Sequence, residues 1–166
     1  MTQLRSIETE ERMIAALLYD YHGSLAKSGA LLPSHFSLRK HIEIFQGISE
    51  LAINNNPPDP IAVSEKLKGA VSLYELAEIS DRFIPTIHFV EADFRTLDDY
   101  RKRRALWQIL SQRLQEINQA TTPNEFIADM QKSFSELQDL SPSNDLSIST
   151  ITDIWADQLK NHFDGK

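Results

Sequence analysis

The sequence predicts an all-α protein: a small orthogonal bundle of short helices, a long antiparallel helical hairpin, and one tethered C-terminal linker helix. Three observations lead there. Apolar residues recur at spacings of 3 and 4 almost throughout, the period of a helix face. Helix starts carry cap chemistry at Asp59-Pro60, Ser72–Glu75 and Thr122–Glu125. No stretch reads as a convincing strand, an internal repeat or a low-complexity segment.

The first helix is "IETEERMIAALLYDYH". Ile14, Leu17, Leu18 and Tyr21 recur at helical spacing, Glu8, Glu10 and Glu11 sit near the positive N-terminus, and Gly23 is expected to end it. A short stretch of small residues, "SLAKSGALL", stops at Pro33. Ser37 is placed to cap the next helix, whose stripe is Ile42, Phe45, Ile48 and Ala52, and "NNNPP" ends it. Asp59-Pro60 opens a short helix that closes by Gly69, and the Ser72–Glu75 capping box opens another through Ile79. Pro85 breaks the chain, and Thr86 can cap a long helix to Asn118. The strongest start follows, where Thr122, Pro123 and Glu125 combine a capping box with a first-turn proline.

The helix opened there carries Ile127, Met130, Phe134 and Leu137. It is expected to face Trp107, Leu110, Leu114 and Ile117, which repeat the same 3, 4, 3 spacing. Two such helices joined by a few residues form a hairpin. Trp107 is therefore expected in the core or the hairpin seam. Leu106 and Phe126 point in other directions around their helices, which predicts a second apolar face free to meet the bundle or another subunit. The organisation is a bundle over 1–85, a hairpin over 86–140 in the same domain, a linker over 141–147 and a linker helix over 148–166.

Composition narrows the function. A hydrophobic share of 41% is enough for a core and too high for a disordered chain. With no cysteine, neither a disulfide nor a thiolate metal site is possible, which fits a reducing cytoplasm. The start "MTQLRSIETEERM" lacks the basic stretch and apolar run of a signal peptide. No apolar run approaches the roughly 18 residues of a membrane span. A protein that grips phosphates is usually basic on its binding face, and a net charge of −7 predicts weak nucleic-acid binding by this chain.

Catalytic chemistry finds no support. His35 and His41 are too far apart for the i, i+4 pair of a zinc helix, and nothing completes a site around His88 and Glu91, so metal ligands are not expected. Gly-x-Ser-x-Gly and a glycine-rich phosphate loop are both missing. The terminal Gly165-Lys166 fails as a phosphate loop because Lys160 stands where a glycine is needed. Carboxylate pairs such as Asp98-Asp99 read as solvated face. The run Arg101, Lys102, Arg103, Arg104 forms a ring around a helix. It reads first as charge pairing with Asp98 and Asp99, and second as a docking patch for an acidic partner or a passing strand.

Two apolar sets remain as candidate interfaces. Trp107, Leu110, Leu114, Phe126, Met130 and Phe134 supply more surface than one hairpin buries, which predicts self-association. Ile148, Ile151, Ile154, Trp155 and Leu159 form a stripe on the terminal helix, where Thr150 and Asp153 frame a cap. A helix that short is marginal alone in water, so a docking surface is expected for it.

"SIETEERMIAALLYD" resembles the opening of the N-terminal domain of DnaB-type replicative helicases. "SHFSLRKHIEIFQGISELAINNNPPDPIAVSEKL" is similar to that family's next segment through Phe36, His41, Ile44, Phe45, Val63 and Leu67. "LYELAEI", Pro85 and "YRKRRALWQIL" continue in order, so the likeness runs over residues 6–140. Departures at Ala15-Ala16, Ala62 and Val71-Ser72 mark a divergent member.

The resemblance implies an assembly and partner-docking collar. Its hairpins would form dimers and a trimer of dimers in a hexamer, and it would carry a primase or loader site. The linker helix would dock on a neighbouring motor domain. ATP and magnesium would belong to that motor domain, so this chain is expected to have no cofactor and no ATPase site. A piece of such a helicase is expected to stop just after the linker helix, as at Gly165-Lys166. The alternatives are a free-standing adaptor or inhibitor that mimics the domain, and the helicase-binding C-terminal domain of a primase.

Overall fold

The computed structural model describes residues 4–28, 31–83, 89–116 and 122–139, and every described element is helical. In chain order these are α1 (Ile7–Tyr19), α2 (Tyr21–Ser28), a 3-10 turn (Pro33–His35), α3 (Arg39–Ile53), α4 (Pro60–Lys66), α5 (Leu73–Arg82), α6 (Val90–Glu116) and α7 (Pro123–Asp139). The terminal segment with its linker and its stripe Ile148, Ile151, Ile154, Trp155 and Leu159 lies outside the described residues, as do Thr86, His88, Ile117 and Asn118. The all-α class holds.

Cap chemistry places most helix starts where the sequence puts them. Asp59 accepts the Ala62 N–H at 2.9 Å to open α4. At α5 the box closes in both directions: Ser72 Oγ accepts from Glu75 N at 3.2 Å, and Glu75 Oε2 accepts from Ser72 N at 3.1 Å. Lys40, then the Ser72 contacts, hold the Glu75 carboxyl down to about 2. Ser72→Ala should cost about 1 kcal/mol, readable as a lower urea midpoint with an unchanged slope.

Two boundaries differ from the sequence reading, each for a local reason. The first helix stops at Tyr19 and does not run on to Gly23, because Asp20 adopts a non-helical backbone and its carboxylate accepts the Gly23 N–H at 2.9 Å. That bond opens α2, which takes in Tyr21 and His22, read as the end of the first helix, and the start of the small-residue stretch, and Gly23 lies inside it. A Cβ at Gly23 would come within 2.0 Å of Asp20 Oδ2, so glycine is what lets the carboxylate approach. The second correction concerns Ser37. Leu38 occupies the N-cap position of α3 without a side-chain cap, while the Ser37 hydroxyl and amide both donate to Glu10.

The chain forms two compact units, residues 1–101 and 102–166. In the first unit α1 packs on α2, α3 and α5, and α4 packs on α3 and α5. The core is Met13, Ile14 and Leu17 of α1, Ile44 and Ile48 of α3, Val63 of α4, Leu76 and Ile79 of α5, and Val90 and Leu97 of α6. The opening of the helix that the sequence reading assigned to the hairpin thus contributes to the core of the first unit. Helix α3 also comes close to α4, since a Cβ on Gly47 would meet Leu67 at 3.3 Å. After α4 the chain reverses through Lys68 and Gly69 at positive φ, a left-handed turn that glycine adopts at no steric cost.

Candidate functional site

The polar groups of the first unit are spent on holding its helices together. Glu10 is fully buried on α1. Its Oε1 accepts from the Ser37 amide at 2.9 Å and the Ser37 hydroxyl at 2.5 Å, and its Oε2 lies 2.7 Å from His41 Nδ1 on α3. Burial alone would raise the Glu10 carboxyl, but the hydrogen bonds from His41 and Ser37 together outweigh it and hold the group below its ordinary value. A serine, a histidine and a carboxylate share this site, yet the serine hydroxyl donates to the carboxylate, so nothing activates it as a nucleophile.

Two further links reach α6. Arg12 donates through Nε and Nη2 to the buried Asp93, at 3.1 and 2.7 Å. Chiefly through that bond, Asp93 holds the guanidinium above its already high value. His35, in the 3-10 turn, places Nε2 3.4 Å from Asp98 Oδ1, and Arg101 donates to the same oxygen at 2.7 and 3.0 Å. Among the described residues, no group of three or more His, Asp or Glu could hold a metal ion.

Of the basic run, Arg101 is engaged with Asp98, as charge pairing requires. Lys102 and Arg104 are half-buried and Arg103 is exposed.

The second unit presents a different surface. Thr122 Oγ1 accepts from Glu125 N at 3.3 Å and donates to Glu125 Oε2 at 3.0 Å, which fixes the start of α7. Phe126, Met130 and Phe134 of α7 are buried together, and Leu106 and Leu110 of α6 pack against them. Arg113 Nη2 donates to Ser133 Oγ at 3.1 Å beside this seam. The seam therefore runs through Leu106 and Leu110, and not through Trp107 and Leu114 as the spacing suggested. Helix α6 has two apolar stripes about 100° apart, and α7 covers the one bearing Leu106. Trp107 and Leu114 are left 61% exposed each. Seven residues apart, they lie two turns apart on one face. Of the six candidate interface residues, four belong to the internal contact and two lie outside it. Ile117 and the side chain of Leu137 are outside the described residues.

Sequence reasoning missed one exposed pair. Leu73 and Tyr74 fill the first turn of α5 and are 45% and 77% exposed.

A model of the DnaB-like helicase N terminal domain matches residues 2–92. Among solved structures, the N-terminal domain of DnaB helicase from Mycobacterium tuberculosis aligns at 15% identity and a TM-score of 0.66, covering 79% of this chain and 97% of that one. A DnaB-like replicative helicase, solved for its interactions with primase, aligns at 19% identity and a TM-score of 0.63, covering 89% of this chain and 34% of that one. The chain thus spans about a third of that helicase. No curated protein matches. At these identities the structural likeness shows the fold.

Proposed function

The chain belongs to the DnaB-like helicase N-terminal domain family, and from that premise we propose that it is the assembly and partner-docking domain of a hexameric replicative DNA helicase. The observation that carries the reading is the exposed pair Trp107 and Leu114. The chain's own fold leaves an indole and an isobutyl group in water on one helix face, while the adjacent stripe satisfies α7. A monomer gains nothing by exposing them, whereas a second subunit that covered them would gain about 1.5–3 kcal/mol per side chain.

In this reading the covered face joins copies into dimers and then into a ring. A primase or a helicase loader docks on the collar so formed, as primase interacts with the DnaB-like helicase of similar fold. The segment carrying Ile148, Ile151, Ile154, Trp155 and Leu159 couples the domain to a neighbouring motor domain. ATP hydrolysis and DNA translocation belong to that motor domain, where the nucleotide and its magnesium would sit. The present chain contributes geometry and contacts.

The test is its behaviour in solution. Sedimentation equilibrium of the wild-type chain at micromolar to high micromolar concentration should show reversible self-association, and a monomer throughout that range refutes the reading. Titration with Mg-ATP in a calorimeter should give no saturable heat, because no glycine-rich loop supplies a nest of N–H groups for the phosphates.

A further inference from the structure

Trp107 and Leu114 stand about 10 Å apart along the α6 axis, with the small, half-buried Ser111 between them on the same face. Their face lies about 100° around α6 from the seam that α7 fills. A helix with two apolar faces at that angle is shaped for two neighbours, and α7 is one of them. The same unit, residues 102–166, carries a matching stripe. Ile148, Ile151, Trp155 and Leu159 recur at spacings of 3, 4 and 4. In a helix that run is about 16 Å long, enough to span both exposed side chains.

The path of the chain brings stripe and face together. A short connection and a shared seam make α7 antiparallel to α6. Its 17 residues therefore carry the chain back about 25 Å, past the levels of Leu114 and Trp107. Residues 140–147 then separate Asp139 from Ile148. Extended, they reach about 26–29 Å, and neighbouring helix axes need only about 8–10 Å. The stripe thus arrives at the Trp107 end of the face, with Leu159 last and toward Leu114. Charge favours the same approach. The connection carries Asp145, and Arg103 is exposed one turn before the indole.

We propose that residues 148–159 of the same chain occupy the Trp107–Leu114 face whenever no motor domain holds them. Concentration selects them over a second copy. So short a tether keeps the segment at an effective concentration on the order of millimolar, whereas a second copy meets the face only at its own, far lower concentration. Resting on the reading that this face joins copies, the segment becomes a competitor of the second copy. Assembly then follows once a motor domain draws the segment away.

The experiment uses the full 166-residue chain, which has no cysteine of its own. Cysteines bridge only when their Cα atoms come within about 7 Å. Ser111→Cys combined with Thr152→Cys should oxidise rapidly within one chain and run at the monomer mass on a non-reducing gel. Ser111→Cys combined with Asp157→Cys, on the opposite side of the stripe, should oxidise at least about tenfold more slowly, because the geometry excludes it. Equal rates for the two pairs would describe a loose tail and overturn the proposal. Bridges formed only between chains would overturn it too, since the occupant would then be another copy. In sedimentation equilibrium, Trp155→Asp should tighten self-association about 10–100-fold, the ratio that burial of one large side chain supplies to the closed form. If wild type and variant associate equally, the segment does not compete and the proposal fails. If neither associates while the Thr152→Cys pair still bridges within one chain, the segment's place on the face is upheld and the self-association reading is refuted.

Discussion

Replacing Trp107 with Asp should turn an assembled protein into monomers and leave its helices intact. The residue is mostly exposed in the single chain, and the seam beneath it is built from Leu106, Leu110, Phe126, Met130 and Phe134. A carboxylate there meets water in the monomer and an apolar surface in the assembly. Two-fold contacts count every substitution twice. At about 1.5–3 kcal/mol per buried side chain the loss is about 3–6 kcal/mol per dimer, a weakening of Kd on the order of 10²–10⁴. Sedimentation should show the change and circular dichroism should not. Leu114→Asp should act in the same direction. Phe134→Asp should instead unfold the hairpin, because Phe134 is buried within one chain. If Trp107→Asp sediments like the wild type, the exposed face is not the contact.

Glu10→Ala should be the costliest polar deletion in the first unit. It removes the acceptor of three hydrogen bonds and leaves the Ser37 hydroxyl and the buried His41 ring facing a void. Leaving a buried donor without its acceptor costs about 1–3 kcal/mol, more where the lost partner is charged, a large part of the roughly 5–15 kcal/mol that holds a domain folded. The loss depends on pH. A carboxyl held below its ordinary value stabilises the fold above its unfolded value of about 4.3 and stops doing so as pH falls through the folded value. Wild type and variant should therefore differ most near neutral pH and converge in acid, as urea titrations at both ends would show. An equal gap at both pH values would mean that Glu10 acts by shape alone.

What could be read from the sequence was what is local. Asp59-Pro60, Ser72 with Glu75, and Thr122 with Glu125 each write a helix start within four residues, and each start lies where it was read. The helical class and the family resemblance rest on such short-range patterns. The readings that failed depended on distant partners. Ser37 has the chemistry of a cap, but Glu10, 27 positions earlier, takes its hydroxyl and its amide. His41 was set aside as a zinc ligand on its spacing from His35, and the carboxylate it does meet is 31 positions away. On α6 the two stripes are both apolar, and only α7 decides which is inside. Asp20 misled for the opposite reason. Its bond to Gly23 is local, but it works as a helix start where the sequence was read as a helix end.

The pairing of Arg12 with Asp93 also has a consequence in time. The two lie 81 residues apart, so at a synthesis rate of about 5–20 residues per second roughly 4–16 seconds separate their appearance from the ribosome. Helix α1 is made early, but Val90 and Leu97, which share its core, flank Asp93 and emerge within about a second of it. Through that interval Met13, Ile14 and Leu17 wait with part of their apolar face uncovered. The nascent chain is thus most exposed to aggregation before α6 emerges. Substitutions that weaken the grip between Arg12 and Asp93 should lower the yield of folded protein in the cell more than they lower the stability of the purified chain.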